Sequence, residues 1–430
     1  MRGLLLTLQS GDWLTRERVR LWALAVLLAS AGGIAFLWIT SNGLDDFQAK
    51  PLGTDFSNIY AGGTYVLDGK PELAFDPALQ HAREKEIFGA HTPFYGWCYP
   101  PFLLFVAAAL ALMPYLTALF VWQATTFPLY LLAIWAIFSS SLPNQHRGDS
   151  KPSLFDELVR SRMWLLLAVS FPAVFVNLAH GHNGFLTAAL MGFALLWLDR
   201  RPIVAGILFG LLAYKPQFGL LIPLVLIATD RWKTFAAAAA TVGMLALAAT
   251  LAFGPQVWPA FFASTAFTRE VVLEAGGTGW YKIQTVFSWV RMWGGPIPLA
   301  YTVQILVTLV CALAVTWLWR SRSSARLKAA GLIFASLLST PYSLDYDLLV
   351  LAPAIAFWAA DGLSRGFQSW EKTTLAALWM VPLIARTFAE ATSIPLAAPL
   401  LLVAFALLLH RAACQSGAPL LWLSAGRTVR

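Results

Sequence analysis

Apolar runs separated by short polar turns recur along nearly the whole chain. The first strongly apolar run extends from Leu21 to Ile39, and similar runs continue to His410. Because about 20 apolar residues are needed to cross a bilayer as a helix, this pattern predicts membrane spans. We therefore expect an all-α polytopic membrane protein with about 12 transmembrane helices.

The spans are expected to form a single integral membrane domain over residues 1–430. A short segment, 102–114, lies between prolines and is expected to dip into the membrane, because the basic loop after residue 139 is expected on the cytoplasmic side. That loop carries Arg147, Lys151, Arg160 and Arg162. In chain order the predicted layout is a first span (21–39), a long outer loop with short membrane-surface helices (40–101), core spans (115–253), a second outer loop (254–298) and C-terminal spans (299–410).

Composition supports this picture and excludes other classes of protein. Of the 430 residues, 58% are hydrophobic and 12% are charged, which is too little charge for a soluble protein of this size. The net charge of +8 comes from Lys and Arg at the ends of apolar runs, so partners are expected to be membrane lipids and not nucleic acid. The same bias predicts that both termini are cytoplasmic and that the long loops face the periplasm or exterior. We expect the membrane to be a bacterial inner membrane, although the charge bias does not identify the organism.

Five polar groups are predicted to converge on the outer side. Ionisable residues at membrane depth are costly unless they are paired or hydrated, so their presence favours a polar cavity with a function. The groups are Asp55 with its neighbours Asn58 and Tyr60; His180 to Asn183; Lys215; Tyr342 to Asp347; and the loop residues Arg269, Tyr281 and Lys282.

Each group also has a purely structural explanation. Thr54-Asp55 is a plausible helix start, and on spacing alone a capping role for Asp55 is favoured over a catalytic one. Lys215 could extend to the interface, and function and structure are about equally supported there. His180 and His182 could cap a turn, while Asp345 and Asp347 could cap a helix or, more weakly, bind a metal. Cys98, Cys311 and Cys414 are scattered and support neither a disulfide framework nor a zinc site.

The chemistry that fits one carboxylate among cations is sugar transfer from a lipid-linked phosphate. A glycosyl phosphate already contains a good leaving group, so a base for the acceptor hydroxyl and cations for the phosphate are sufficient. Retaining double displacement uses a pair of carboxylates, and the sequence does not indicate a second catalytic carboxylate near Asp55. A single displacement with inversion is therefore favoured, without a metal or other cofactor.

The chain resembles glycosyltransferase family 87, the DUF2029 group of the GT-C superfamily. The resemblance covers about residues 50–360 and depends on the order of several short motifs. These are Asp55-Phe56 to Tyr60, Gly69-Lys70-Pro71, Phe75-Asp76-Pro77, Tyr99-Pro100-Pro101, Gly181-His182-Asn183-Gly184-Phe185-Leu186, Ala205-Gly206-Ile207-Leu208-Phe209-Gly210, Lys215-Pro216-Gln217 and Thr340-Pro341-Tyr342.

This resemblance implies a GT-C-type fold whose long first outer loop carries the catalytic acid. It also implies inverting transfer of a sugar, typically mannose, from a polyprenyl-phosphate donor to a lipid or glycan acceptor. Asp55 matches the family's base and Lys215 its Lys-Pro motif, which we assign to the donor phosphate together with Lys282 or Arg269. The expected sugar or acceptor pocket comprises Asn58, Tyr60, His182, Asn183, Tyr281, Tyr342 and Asp345. His182 stands where many members carry Gln, and Asp345 to Asp347 stand where others often carry His.

Two other classes of function remain compatible with the sequence. A membrane transporter or lipid-linked sugar flippase would have an acidic outer vestibule, but it should also contain an inverted repeat with paired broken helices. Only one candidate break, at Lys215-Pro216, is visible. A scaffold without catalysis would need every outer polar residue to be a cap, which the convergence of the groups disfavours.

Overall fold

The computed structural model describes residues 2–140 and 162–417. Within these ranges the chain is helical, and no β-strand is formed. The predicted cytoplasmic loop residues Arg147, Lys151 and Arg160 lie outside the described residues. The α-helices, in chain order, are α1 Arg2–Ser10, α2 Arg16–Ile39, α3 Thr54–Leu67, α4 Pro77–Phe88, α5 Leu104–Ala111, α6 Tyr115–Ser139, α7 Met163–Val169, α8 Pro172–His180, α9 Gly184–Trp197, α10 Pro202–Leu211, α11 Ile222–Ala228, α12 Trp232–Phe253, α13 Val257–Phe267, α14 Val286–Met292, α15 Ile297–Arg320, α16 Ala325–Ser339, α17 Leu351–Arg365, α18 Glu371–Thr392 and α19 Ala397–Gln415.

Seven helical segments in the described part of the chain are long and apolar enough to cross a membrane. An eighth span is formed if α7 and α8, which meet at a bend of 45°, are counted together. The protein is therefore embedded in a membrane through several apolar helices. Each of the predicted spans corresponds to a helix or a helix pair, but α9, α10, α11 and α16 are shorter than a full crossing. The count of about 12 therefore stays a prediction.

Burial separates peripheral helices from central ones. In α2 and α12 only 11% of the most apolar window is buried inside the protein, and Leu28 and Leu251 are 71% and 78% exposed. Such apolar surfaces are suited to contact with lipid. By contrast, 78% of the window in Asp345–Arg365 is buried, and α16 packs between α15 and α17. The segment that carries Asp345 and Asp347 thus begins a helix at the centre of the bundle.

The first long loop, residues 40–101, which the sequence predicts on the outer side, is largely folded. Helix α3 packs closely on α5, and Gly63 lies against the backbone of Ala107 with no space for a side chain. A 3₁₀ turn, Pro71–Phe75, and helix α4 cover α3 from the other side. As a result, the N-terminus of α3 is held in a fixed position relative to the membrane helices.

Much of the second outer loop is also helical. It contains α13, a π-helical segment from Thr268 to Glu274, a 3₁₀ turn from Trp280 to Lys282, and α14. π-helical turns are rare and frequently occur at functional sites. Cys98 and Thr268, from the two predicted outer loops, are in contact at 3.3 Å between Sγ and Oγ1, so the two loops pack against each other.

Candidate functional site

Asp55 lies in the first turn of α3, where the preceding residues fix its position. Gly53 is the residue that precedes the helix and has a positive φ of 71°, so Asp55 is not the N-cap that its spacing favoured. The Tyr115 hydroxyl donates to the carbonyl oxygens of Leu52 and Gly53, at 2.5 and 3.2 Å. A carboxylate in a first helical turn is also favoured by the helix dipole.

The turn at His180 to His182 is packed directly against the start of α3. Gly181 has a φ of +60°, and a Cβ atom there would meet Phe56 and Leu119. Thr54 Oγ1 and His180 Nδ1 are hydrogen-bonded at 2.5 Å. These contacts explain how residues separated by more than 120 positions come to line one site.

A buried ion pair between Lys215 and Asp347 also lies close to Asp55. Lys215, in the sharp turn between two 3₁₀ segments, places its Nζ 2.5 Å from Asp347 Oδ1, and the side chains are 4% and 2% exposed. The other oxygen of Asp347 accepts a hydrogen bond from the Leu344 backbone N–H at 3.0 Å. Asn177 donates to the Tyr346 carbonyl oxygen at 2.9 Å and thereby ties this segment to α8.

Two cavities meet at Asp55. The inner cavity has a volume of about 210 Å³, and Asn58, His182, Lys215 and Asp347 contribute to its lining. The outer cavity has a volume of about 680 Å³, and its lining residues include the cations Lys50, Lys282 and Arg386. The residues that line both cavities are Asp55, Tyr95, Gly96, Cys98, Thr268, Tyr342 and Tyr346.

Several buried polar atoms around these cavities have no hydrogen-bond partner among the described residues. Asp55 Oδ2, Asn58 Oδ1 and His182 Nδ1 are of this kind. Buried polar atoms in folded proteins are almost always satisfied, so unsatisfied ones beside a cavity are typical of a ligand site. The His182 ring is held in place by stacking on Tyr346, with a centroid distance of 3.6 Å.

The electrostatic surroundings of Asp55 suit a general base. Burial raises the pKa of its carboxyl to about 7. Lys215, Lys282 and Arg386 oppose that shift in pKa, while Asp347 adds to it. Asp347 and Asp345 are in ion pairs with Lys215 and Arg386, whereas no ion pair within the described residues involves Asp55. A carboxyl with a pKa near neutrality can accept a proton and release it again, as a general base must.

A second buried carboxyl supports the wall shared by the cavities. Glu84 on α4 is fully buried and accepts a hydrogen bond from the Tyr95 N–H at 3.4 Å through Oε2. Burial is the main cause that raises the pKa of this carboxyl to about 8. Glu84 does not line either cavity, so its role is to hold the 95–96 backbone.

The residues predicted from the sequence divide into two groups. Asp55, Asn58, His182, Lys215, Tyr342, Lys282 and Asp345 line one or both cavities. Tyr60, Asn183, Arg269 and Tyr281 line neither. The Tyr60 hydroxyl donates to the Met113 carbonyl oxygen at 2.9 Å, which is a packing role.

Arg269 is 57% exposed and lies 3.1 Å from Glu270 and 3.6 Å from Glu274. The Tyr281 ring lies below Lys282 and Arg386, whose charged groups are 5.9 and 5.7 Å from its centroid. Asn183 is buried beside His182 at the start of α9. These placements do not support a phosphate contact by Arg269 or a pocket contact by Tyr60.

Sequence reasoning missed other lining residues. Arg386 is a cation near the outer end of an otherwise apolar predicted span, and that position was a usable signal. Asp347 was considered, but its pairing with Lys215 was not foreseen. Tyr99 and Gln217 belong to motifs that the resemblance uses, but no role was assigned to them, whereas Tyr95 and Thr268 carry no local signal because ordinary polar residues in loops are common. Within the described residues, no cluster of three or more His, Cys, Asp or Glu has the arrangement of a metal site.

Comparison with known proteins gives one match. The sequence model of glycosyltransferase family 87 matches residues 97–341, which is more than half of the chain. No curated protein and no solved structure matches the chain. The matched region contains His182, Lys215 and Lys282, whereas Asp55 precedes it.

Proposed function

The chain belongs to glycosyltransferase family 87, and from this premise we propose that it transfers a sugar from a polyprenyl-phosphate donor to a lipid or glycan acceptor. Mannose is the first candidate sugar. The proposed location is a bacterial inner membrane, with both termini in the cytoplasm and the site facing the periplasm. Membership of a glycosyltransferase family favours an enzyme over the alternative of a transporter or flippase.

One observation carries the proposal: Asp55 is a carboxyl without an ion pair among the described residues, at the junction of two cavities whose lining includes several polar side chains. The smaller cavity, with a volume of about 210 Å³, has room for a single sugar ring, whose hydroxyl groups could bond to Asn58, His182 and the Lys215–Asp347 pair. The larger one is lined by cations and has room for a phosphate and an acceptor. Aromatic and amide side chains with a few charges are a usual composition for a small-molecule site.

The reaction follows from this arrangement. Asp55 takes the proton of the acceptor hydroxyl as that oxygen attacks the anomeric carbon. The bond from the anomeric carbon to the phosphate oxygen breaks, and its electron pair leaves with the lipid phosphate, where cations stabilise the charge. Asp347, the other carboxylate that lines the smaller cavity with Asp55, is bound to Lys215, and Asp345 lines only the larger cavity. A second carboxylate is therefore not available as a nucleophile in the smaller cavity, and inversion at the anomeric carbon is the favoured outcome.

The decisive experiment is transfer of radiolabelled mannose from polyprenyl-phosphate mannose to native membrane lipids. Purified wild type, Asp55→Asn and Glu86→Gln should be compared, since Glu86 is an exposed carboxyl of the same outer segment. We expect turnover in the wild type and in Glu86→Gln, and a loss of about 10²–10⁴-fold in Asp55→Asn. Turnover is also expected to be insensitive to EDTA, and the product should have the inverted anomeric configuration.

Two results would count against the proposal. Undiminished transfer by Asp55→Asn would remove Asp55 as the base and direct attention to Asp345 and Asp347. If no polyprenyl-phosphate sugar, including arabinofuranose, were a donor while a nucleotide sugar was, the donor class would be wrong.

A further inference from the structure

Two cations of the outer cavity come from distant parts of the chain. Lys282 lies in the 3₁₀ turn of the second outer loop, and Arg386 lies near the outer end of α18. Both line the outer cavity, and their charged groups flank the same aromatic ring, that of Tyr281. The packing of the 3₁₀ turn against α18 therefore brings two positive charges to one wall.

Arg386 is only loosely engaged. Its ion pair among the described residues is with Asp345, at 3.7 Å between Nη1 and Oδ2, and its side chain is 41% exposed. A guanidinium carries five N–H donors, and one long ion pair leaves most of them free for an anion. Asp345 also accepts a hydrogen bond from the Tyr346 N–H at 2.9 Å, so this carboxylate has a second partner besides Arg386.

The other cations considered for a phosphate are engaged elsewhere. Lys215 is buried and bound to Asp347 at 2.5 Å, and removing it from that pair would leave a buried charge unpaired. Arg269 points to Glu270 and Glu274 and lines neither cavity. Lys50, the third cation that lines the outer cavity, donates a hydrogen bond to Gln48 at 2.8 Å. Lys282 and Arg386, which contact the same Tyr281 ring, are thus the pair best placed to meet an anion in the outer cavity.

The same cavity is also lined by apolar and aromatic side chains. These are Phe75, Phe94, Trp97, Phe267, Val271 and Val272. A free phosphate ion would make no favourable contact with these side chains, whereas a phosphate attached to a hydrocarbon chain could contact both them and the cations. Val271 is 37% exposed, so the apolar lining reaches the protein surface.

We propose that Lys282 and Arg386 bind the phosphate of an isoprenoid phosphate, with Asp345 holding Arg386 while the phosphate is absent. This inference rests on the proposed function and deepens it by assigning Arg386 to the donor site. The apolar and aromatic side chains of the cavity lining contact the first hydrocarbon units of the same ligand.

Binding can be measured without turnover. Purified wild type, Arg386→Gln, Arg386→Lys, Lys282→Gln and Arg269→Gln should be titrated with farnesyl phosphate, and in parallel with farnesol and with inorganic phosphate. Arg269→Gln is the matched control, because it removes a cation from the same outer face but outside the cavities. We expect Arg386→Gln and Lys282→Gln to weaken farnesyl phosphate binding about tenfold or more, as for a lost charge-assisted hydrogen bond.

The controls make the result specific. Farnesol binding should be equal in wild type and all variants, Arg269→Gln should bind farnesyl phosphate like the wild type, and Arg386→Lys should recover part of the loss. Inorganic phosphate should bind far more weakly than farnesyl phosphate. Equal affinity of wild type and Arg386→Gln for farnesyl phosphate would overturn the assignment, and so would a parallel loss of farnesol binding, which would indicate a structural defect.

Failure of this inference can be told apart from failure of the proposed function. If transfer occurs but Arg386→Gln leaves the donor KM unchanged, the anion site is wrong and the reaction stands. If Arg386 controls farnesyl phosphate binding but no polyprenyl-phosphate sugar is turned over, the anion site stands and the reaction is wrong.

Discussion

Lys215 Nζ and Asp347 Oδ1 lie 2.5 Å apart, and both side chains are almost completely buried next to Asp55. The pair joins the turn between two short membrane helices to the segment that begins α17. It also means that Lys215, which the sequence assigned to the donor phosphate, is neutralised in the free protein. The pair shapes the inner cavity and lowers the cost of placing a second carboxylate, Asp55, beside Asp347.

Lys215 and Asp347 are expected to be strongly coupled in their contributions to the free energy of unfolding. Lys215→Met or Asp347→Asn alone should destabilise the protein by about 3–5 kcal/mol, because the partner is left as an unpaired buried charge. The double variant should lose much less than the sum of the two single losses. Thermal unfolding of the four proteins in the same detergent measures this coupling, and additive losses would show that the pair does not form.

The pH dependence of activity should report the ionisation of Asp55. Its pKa is raised to about 7, so the carboxylate form needed for catalysis is lost on acidification. We expect kcat/KM to rise with pH, with a midpoint near 7. A profile that is flat through neutrality would contradict the assignment of Asp55 as the base.

The contribution of Asp55 to the free energy of unfolding should fall with rising pH, whereas kcat/KM should rise. The folded protein holds a proton on Asp55 that the unfolded chain, with a carboxyl pKa of 3.8, has already released. Stability from this group therefore falls as the pH rises from about 4 to about 7. Asp55→Asn should unfold at a higher temperature than the wild type above neutral pH, and the difference should shrink near pH 4. The same difference at both pH values would show that the carboxyl has an ordinary pKa.

Gly181 is expected to be essential for the position of α3. Gly181→Ala places a methyl group against Phe56 and Leu119 in a backbone with positive φ, and should cost about 2–4 kcal/mol and reduce turnover. Gly43→Ala is the matched control, because Gly43 has a similar φ of +65° but no atom within 4 Å of an added Cβ. The control should show only the backbone cost of about 1 kcal/mol. Equal effects of the two substitutions would mean that the close packing at Gly181 is unimportant.

A separate buried cluster is expected to stabilise the bundle without affecting the site. Arg411 on α19 bonds to Asp361 and Glu371, each at 2.7 Å, and all three side chains are buried. Arg411→Met should destabilise the protein by about 3–5 kcal/mol, because two carboxylates lose their partner. Arg365→Met is the control, since Arg365 is 57% exposed and lies 3.5 Å from Asp361, and it should cost less than about 1 kcal/mol.

Unfolding temperatures of these two variants check the predicted loss of stability. Their affinities for farnesyl phosphate check the prediction that the site is unaffected. Asp361 lies three helical turns along α17 from its start beside the cavities, so the affinity of the folded fraction should equal that of the wild type. A matching loss of affinity in Arg411→Met would show that the cluster is coupled to the site.

The sequence alone determined where the helices lie and which short polar segments interrupt them. It predicted the apolar helices, the short helices of the 40–101 loop and the break at Lys215-Pro216, because apolar runs and their interruptions are local properties that need no knowledge of neighbouring segments. It also identified the family, through short motifs that the match over residues 97–341 supports. Asp55 precedes that match, so its assignment depends on the geometry of the site.

Tertiary structure decided which polar side chains meet. Lys215 pairs with Asp347, Arg386 enters the outer cavity, and Arg269 and Tyr60 stay outside it. None of this is readable along the chain, because the rotation of each helix about its axis and the contacts of each loop depend on packing against distant segments. A polar residue near a span can therefore be recognised in the sequence, but the residue that it pairs with depends on how the helices pack.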